Sequence, residues 1–245
     1  MTALQPTAPV TLVVSEVFGP TIQGEGPSTG QRAAFVRLGR CNLYCSWCDT
    51  PYTWDWTGRN GTVYDPAKEL TTTLVADIVH TLDVMDVPLV VITGGEPMIQ
   101  RDGVTKLAAM LRTRQPMRIE LETNGTRSPW SEIVNMEQVH YNVSPKLSNS
   151  GVEESDRYKP KALADLLATH RAIFKFVVAE ESDLAEVDAM VMANRIPPSL
   201  VWLMPEGRTA STLASRTFLA EAAIERGYNL SGRLHVQLWG DTRGH

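Results

Sequence analysis

Apolar and polar residues are arranged along the chain in two different patterns. Short runs of apolar or β-branched residues predict strands, and apolar residues that recur every three or four positions predict helices. The predicted strands cover residues 11–18, 32–38, 89–92, 118–121, 141–143, 172–178, 200–203 and 234–238. The predicted helices cover residues 74–82, 104–112, 130–134, 161–169, 184–193 and 211–226. A strand followed by a helix, repeated about six times, predicts a parallel sheet with helices on its outside.

Polar, glycine-containing loops directly follow several of the predicted strands. They are the cysteine-bearing stretch 39–50, Thr93-Gly-Gly-Glu-Pro97, Glu122-Thr-Asn-Gly125, Ser144-Pro-Lys146 and Met204-Pro-Glu-Gly207. Because βα barrels build their sites from loops at the carboxyl ends of the strands, we expect these loops to converge on one mouth. About six strand–helix units are too few for an eight-fold barrel, so the expected fold class is α/β, an incomplete (partial) parallel βα barrel. A doubly wound sheet is the alternative, although no G-x-G-x-x-G follows the first strand.

The other stretches complete a single domain over residues 1–245. Residues 1–10 are expected to form a flexible tail and residues 11–245 the partial barrel, with its cysteine loop at 39–50. Residues 51–71 are aromatic and contain glycine, which predicts an irregular, lid-like loop, and the polar segment 147–160 is expected to be mobile.

The composition narrows the class of protein. With 43% hydrophobic and 21% charged residues, the 245-residue chain is typical of a globular protein with a substantial core. Its formal net charge of −5 argues against a broad basic face for nucleic acid. No apolar run approaches the roughly 20 residues of a membrane span. The first ten residues do not resemble a secretory signal. We therefore expect a cytoplasmic protein without a nucleic-acid or membrane partner.

The only three cysteines, Cys41, Cys45 and Cys48, form a C-x₃-C-x₂-C cluster. Thiolates favour soft metals and iron–sulfur clusters, and three cysteines leave one over from any set of disulfides. On a cluster of four irons they leave one iron without a protein ligand, which is the open position that a catalytic metal site needs. Two alternatives are three structural cysteines and a zinc site. The zinc site would be completed by one of the histidines His80, His140, His170, His235 and His245.

The cysteine motif has an aromatic residue before its second and third members, Tyr44 and Trp47. In this it resembles the radical S-adenosylmethionine enzymes, and Gly94-Gly-Glu-Pro97 resembles the GGEP motif of the same enzymes. The resemblance implies a 4Fe-4S cluster and S-adenosylmethionine as cofactors. It also implies a fold of the radical S-adenosylmethionine type, in which the reduced cluster cleaves the cofactor to a 5′-deoxyadenosyl radical.

Five further features together resemble the 7-carboxy-7-deazaguanine synthase family. They are Gln23-Gly-Glu25, Arg37, Cys48-Asp-Thr50, the Thr93–Pro97 loop and Ser144-Pro-Lys146, in a match that runs discontinuously from about Glu16 to the tail. The resemblance implies an Mg²⁺-dependent homodimeric lyase of 7-deazapurine (queuosine) biosynthesis. Its substrate would be 6-carboxy-5,6,7,8-tetrahydropterin, converted to 7-carboxy-7-deazaguanine with loss of ammonia. S-adenosylmethionine would be used catalytically, and the electron donor would be a protein such as flavodoxin.

The same resemblance implies a role for individual residues. Cys41, Cys45 and Cys48 would hold the cluster, and Thr50 would bind magnesium. The substrate would contact Ile22, Gln23, Gly24, Glu25, Arg37, Thr93 and His235. S-adenosylmethionine would contact Gly94, Gly95, Glu96, Glu122, Ser144, Pro145, Lys146, Met204, Pro205, Glu206 and Gly207.

Several of these residues also have a structural interpretation. Thr50 would then cap the following turn, Lys146 would be a solvated lysine, Met204 a core residue and His235 a structural histidine in an apolar strand. Arg37 shares a strand face with apolar residues, where an arginine is costly unless it meets an anion or reaches solvent.

Three rival functions remain open at this point. A glycyl-radical activase would act on a protein partner and consume S-adenosylmethionine stoichiometrically. A simple electron carrier would need the cluster but none of the polar loops that follow the strands. A zinc-stabilised binding module would contain no iron. The segment 51–69 and the tail 240–245 have no assigned role.

Overall fold

One mixed sheet runs through the residues described by the computed structural model, 8–113 and 117–244. Its strands are β1 (Thr11–Ile22), β2 (Arg32–Leu38), β3 (Thr71–Leu74), β4 (Leu89–Gly94), β5 (Arg118–Thr123), β6 (Val139–Val143), β7 (Ala172–Val178), β8 (Val201–Pro205) and β9 (Asn229–Leu230). The helices are α1 (Pro66–Glu69), α2 (Val75–Met85), α3 (Arg101–Arg112), α4 (Ser131–Val134), α5 (Glu154–Arg157), α6 (Pro160–Leu167), α7 (Asp183–Ala193), α8 (Ala210–Ser215), α9 (Phe218–Arg226) and α10 (Leu234–Trp239). Most of the predicted tail, residues 1–7, lies outside the described residues.

The strand order is β3-β1-β2-β4-β5-β6-β7-β8-β9. From β2 to β9 all neighbours are parallel, as the strand–helix alternation predicts. The strand β1 is antiparallel to both of its neighbours, β2 and β3, which the sequence pattern did not indicate. The two edge strands β3 and β9 leave the sheet open, so the predicted α/β partial barrel is confirmed. No helix among the described residues is long and apolar enough to cross a bilayer.

The two faces of the sheet have different chemistry. On β2, Ala34, Val36 and Leu38 pack into the main apolar core, which α2, α3, α6, α7 and α9 also form. The opposite, inner face begins with the small apolar cluster of Ala33, Phe35, Leu89 and Val91. Further along the sheet this inner face carries the buried charged and polar residues Glu120, Asn142 and Lys175. Buried polar groups of this kind need partners, which here come from the loop after β1 and from the same face of the sheet.

Several predicted elements were wrong in detail. Residues 234–238 form the helix α10 rather than a strand. In this helix Val236 is buried but Leu238 is 54% exposed. The prediction was wrong because periodicity alone does not distinguish a strand from a helix in a short apolar run. The predicted helix 211–226 is divided into α8 and α9 at Arg216, although no glycine or proline signals the break. Leu74 ends β3 instead of starting α2.

The polar segment 147–160, predicted to be mobile, is bonded to the cysteine loop. The backbone N–H of Ser46 donates to the carbonyl oxygen of Ser150 at 2.9 Å, and the indole N–H of Trp47 donates to Asn149 Oδ1 at 3.2 Å. Val152 is buried against Leu43. The segment therefore forms one wall of the cysteine loop.

Candidate active site

A cavity of about 360 Å³ opens at the carboxyl ends of the parallel strands, within the size range of small-molecule sites. The loops after β2, β4, β5, β6 and β8 all reach it. The sequence-predicted residues in its wall are Ile22, Gln23, Gly24, Glu25, Arg37, Cys41, Cys45, Cys48, Thr50, Thr93, Gly94, Gly95, Glu122, Ser144, Lys146, Met204, Glu206, Gly207 and His235. Three of the predicted residues, Glu96, Pro145 and Pro205, are not part of that wall.

The three cysteines all line this cavity. Burial raises the pKa of Cys45 to about 11 and that of Cys41 to about 12, so the free thiols are protonated at neutral pH and binding iron would release their protons. Polar hydrogens already point at two of the sulfurs. The N–H of Leu43 lies 3.4 Å from Cys41 Sγ, and the indole N–H of Trp54 lies 3.3 Å from Cys48 Sγ. A soft donor set with hydrogen-bonded sulfurs fits an iron–sulfur cluster.

No three His, Cys, Asp or Glu side chains within the described part of the chain are placed to hold a single metal ion.

The Gly94-Gly-Glu-Pro97 loop packs directly against the start of the cysteine loop. A Cβ atom at Gly95 would lie 1.7 Å from the carbonyl oxygen of Arg40, and the N–H of Glu96 donates to that same oxygen at 2.9 Å. Only glycine permits this approach of two backbones. The contact fixes the distance between the two loops that the resemblance assigns to the cluster and to S-adenosylmethionine.

Glu96 is fully buried beneath this loop instead of facing the cavity. Its carboxylate accepts from the N–H of Met98 at 2.9 Å, the hydroxyl of Thr123 at 2.8 Å and the N–H of Asn124 at 2.7 Å. Burial raises its pKa, against the effect of these donors. The oxygens of Glu96 therefore hold the loop after β4 against the end of β5, and its contact with S-adenosylmethionine stays a prediction.

A buried ionic network connects three loops across the cavity. Glu25 pairs with Lys175 on one side, and Arg233 Nε donates to its Oε1 at 2.9 Å on the other. Arg233 also pairs with Asp49, next to the third cysteine, and donates to the carbonyl oxygen of Gly207 at 2.7 Å. Burial opposes ionisation of Glu25, but the charges of Lys175 and Arg233 lower its pKa. Arg233 thus ties together the loop after β1, the cysteine loop and the loop after β8.

Lys175 and Arg233 were both missed in the sequence. A signal for Lys175 was present, since it is the only charged residue of the otherwise apolar strand Ala172–Val178, and a buried lysine needs an anion. Arg233 had no such signal, because its partners lie 26 to 208 positions away along the chain.

Glu122, which the resemblance assigns to S-adenosylmethionine, contacts two residues that it assigns to the substrate. The hydroxyl of Thr93 donates to its Oε2 at 2.6 Å, and the Gln23 amide donates to its Oε1 at 3.2 Å. On β2, which lies next to the strand of Thr93, Arg37 Nε donates to Glu16 Oε1 at 2.6 Å. Its two terminal nitrogens donate to no acceptor among the described residues. Arg37 is therefore held at one end and has donors available at the other.

His235 lies on α10 and not on a strand, yet it still reaches the cavity. A Cβ at Gly24 would lie 2.1 Å from His235 Nδ1, and the N–H of Leu234 donates to the carbonyl oxygen of Gly24 at 2.9 Å. Burial lowers the pKa of His235, so its imidazole is neutral at pH 7. Gly24 is thus required for the close approach of α10 to the loop after β1.

The structural alternatives for Thr50 and Lys146 are not supported. Thr50 precedes a short 3₁₀ turn, but its side chain makes no capping hydrogen bond there. Lys146 Nζ donates to Ser144 Oγ at 2.9 Å and lies 5.4 Å from the centre of the Trp47 ring, at the cavity wall.

The two stretches without an assigned role meet at the mouth of the cavity. Arg243 pairs with Glu69 at 3.0 Å, and its guanidinium carbon lies 3.3 Å from the centre of the Tyr52 ring. Asp241 accepts from Arg208 at 2.7 Å. The C-terminal tail and the loop after the cysteines therefore border the opening together.

Comparison with known proteins assigns this site to a class. The family model described as "Radical SAM superfamily" matches residues 36–176, more than half of the chain, so the chain belongs to the radical S-adenosylmethionine superfamily. Its cofactors are accordingly a 4Fe-4S cluster and S-adenosylmethionine, and the zinc alternative is wrong.

Full-length relatives narrow the assignment. A 7-carboxy-7-deazaguanine synthase of Pyrobaculum aerophilum is 37% identical over 94% of this chain and 96% of its own length. One of Hyperthermus butylicus is also 37% identical, over 92% of both chains. The crystal structure of QueE from Escherichia coli covers 92% of this chain and 95% of its own, with a TM-score of 0.69 and 25% identity. The chain belongs to the 7-carboxy-7-deazaguanine synthase family.

Proposed function

We propose that this protein converts 6-carboxy-5,6,7,8-tetrahydropterin to 7-carboxy-7-deazaguanine with loss of ammonia. The observation that carries the proposal is the single cavity in which three thiols, the glycine loop after β4 and the polar residues of the loop after β1 meet. Family membership supports the small-molecule reaction over a glycyl-radical activase. It does so because the relatives that bear the synthase name align over nearly their whole length.

The cavity residues divide into two groups around the thiols. When bound, the cluster and S-adenosylmethionine supply the radical that abstracts a hydrogen atom from the pterin. Gly94, Gly95, Ser144, Lys146, Met204, Glu206 and Gly207 would hold S-adenosylmethionine. Ile22, Gln23, Gly24, Glu25, Glu122, Thr93, Arg37 and His235 would hold the pterin.

The charges of the second group suit the two ends of the pterin. The terminal nitrogens of Arg37 would donate to the substrate carboxylate in a charge-assisted, bidentate pair, since Glu16 occupies only Nε. Glu25, kept ionised by Lys175 and Arg233, would accept from the amino and ring N–H groups at the opposite end. Holding both ends excludes water and fixes the carbon that loses its hydrogen.

Thr50 would place its hydroxyl on magnesium, which takes one or two protein ligands and completes its shell with water and substrate oxygens. We expect Thr50→Val to raise the Mg²⁺ concentration for half-maximal activity about tenfold or more, the equivalent of one lost interaction of about 1.4 kcal/mol. The measurement is product formation against Mg²⁺ concentration. The control is Thr50→Ser, which keeps the hydroxyl and should restore the wild-type requirement. Equal requirements in all three proteins would rule out Thr50 as a ligand.

Four wider properties belong to the same proposal. A single domain would carry the whole reaction, and a reducing cytoplasm would keep the three cysteines available for iron. A one-electron donor such as flavodoxin would reduce the cluster. The protein would act as a homodimer, which sedimentation at several concentrations tests.

The proposal is tested by product analysis under anoxia. Cluster-loaded protein receives reductant, Mg²⁺, S-adenosylmethionine and 6-carboxy-5,6,7,8-tetrahydropterin, and mass spectrometry follows the pterin and the deazapurine. We expect many equivalents of 7-carboxy-7-deazaguanine for each methionine released. Methionine release without any deazapurine would refute the proposed substrate, and one methionine for each turnover would point to the activase mode.

A further inference from the structure

Trp54 contacts a cluster ligand from the loop that follows the third cysteine. Its indole N–H donates to Cys48 Sγ at 3.3 Å, and its side chain lines the cavity. Trp47, the tryptophan inside the cysteine motif, is arranged differently, because its indole N–H donates to Asn149 Oδ1 at 3.2 Å. The indole of Trp56 has no hydrogen-bond acceptor within residues 8–113 and 117–244. Of these three tryptophans in or just after the motif, Trp54 is the one whose N–H points at a ligand sulfur.

The loop around Trp54 is held in place by Asp55. This carboxylate is fully buried and accepts from the N–H groups of Gly58 at 2.9 Å, Arg59 at 3.0 Å and Asn60 at 2.7 Å. These donors lower its pKa despite the burial. The side chain of Asn60 then donates to the carbonyl oxygen of Cys45 at 3.1 Å. The loop is therefore fixed to the cysteine motif through groups other than the Trp54 indole.

A hydrogen bond to a ligand sulfur acts on the two redox states of a cluster unequally. The reduced cluster carries one more negative charge, so an N–H donor stabilises it more than the oxidised cluster and raises the reduction potential. The effect is stronger in a partly buried site, where water does not compete for the sulfur. The indole N–H acts only as a donor and keeps its proton. The one electron that reduces the cluster comes from the external donor.

We propose that Trp54 is a positioning residue that raises the reduction potential of the 4Fe-4S cluster by donating its indole N–H to Cys48 Sγ. As a consequence for catalysis, a physiological reductant of a given potential reduces a larger fraction of the clusters. This inference rests on the cluster that the family carries and not on the identity of the pterin substrate.

The test is a redox titration of the cluster-loaded protein, followed by the EPR signal of the reduced cluster without S-adenosylmethionine or substrate. Trp54→Phe keeps an aromatic ring but removes the donor. We expect the ratio of reduced to oxidised cluster at a fixed potential to fall about tenfold, which corresponds to a midpoint about 59 mV more negative for one electron. The matched variant Trp56→Phe should leave the midpoint unchanged.

Two results would overturn the proposal. One is an unchanged midpoint in Trp54→Phe with full iron content, and the other is an equal shift in Trp56→Phe. If Trp54→Phe does not retain the cluster, the wild-type protein is used instead, with ¹⁵N in its tryptophan indole rings. Pulsed EPR of the reduced cluster then measures whether an indole ¹⁵N nucleus couples to the cluster. A ¹⁵N coupling supports the hydrogen bond, and the absence of any coupling refutes it.

Discussion

Replacing Arg233 by methionine is expected to lower the thermal midpoint of the protein by roughly 6–12 °C. The substitution keeps the apolar length of the side chain but removes the charge that neutralises Glu25 and Asp49. Removing one member of a buried ion pair costs about 3–5 kcal/mol, and we expect the lower value because Lys175 remains beside Glu25. About 1 kcal/mol corresponds to roughly 2–4 °C in a protein of this size.

The control for this prediction is Arg101→Met. Arg101 also pairs with a carboxylate, that of Glu132, but both side chains are about half exposed, at 53% and 54%. Such surface pairs contribute at most about 1 kcal/mol. Calorimetry of the cluster-loaded proteins under anoxia measures both variants. A small decrease for Arg233→Met, equal to that for Arg101→Met, would show that the network is not a structural link.

The same network determines how stability depends on pH. Glu25 and Asp49 have lowered pKa values in the folded protein, so their contribution is fully present above their ordinary pKa values of 4.5 and 3.8. That contribution is lost as the pH falls through the lowered values. We expect the thermal midpoint of the wild type to decrease steadily below about pH 4.5. Arg233→Met should show a smaller decrease, since part of the contribution is already absent.

Replacing Gly95 by alanine is expected to destabilise the protein by about 3 kcal/mol or more and to abolish cleavage of S-adenosylmethionine. The new Cβ would lie 1.7 Å from the carbonyl oxygen of Arg40, and overpacking of a rigid site costs about 1–3 kcal/mol even where side chains can move. Here one of the two groups is backbone, so the loop after β4 must separate from the cysteine loop. Calorimetry gives the stability, and 5′-deoxyadenosine formation gives the cleavage.

Gly232→Ala is the matched control for Gly95→Ala. A Cβ at Gly232 meets no atom within 4 Å, so the change should stay within about 0.5 kcal/mol and leave cleavage intact. Wild-type cleavage in Gly95→Ala would mean that the close approach of the two loops is not needed for the reaction.

Local patterns in the sequence were sufficient where local chemistry decides the structure. The strands Arg32–Leu38 and Ala172–Val178 were predicted with their observed bounds, because each is a short run in which apolar residues predominate. The polar loops after the strands were recognised as parts of one site, since parallel strands bring their carboxyl ends to the same edge. The cysteine motif was found because its ligands are adjacent in the chain.

Features that depend on distant partners were not predictable in this way. The antiparallel pairing of β1 with β3 joins residues about sixty positions apart, and the three β-branched threonines of Thr71–Leu74 do not by themselves identify their partner strand. Glu96 belongs to a motif that suggests a ligand, yet its environment is decided by Thr123 and Asn124 on another strand's loop. His235 was assigned to the right cavity but to the wrong element, because its pattern fits both helix and strand.

In the proposed site, Cys41, Cys45 and Cys48 hold a cluster with one iron left open for S-adenosylmethionine in the shared cavity. The most direct measurement is the EPR spectrum of the reduced, cluster-loaded protein before and after addition of S-adenosylmethionine without substrate. We expect a changed spectrum, because the added cofactor becomes a new ligand of the open iron. A spectrum that saturating S-adenosylmethionine leaves unaltered, with all four irons present, would contradict it.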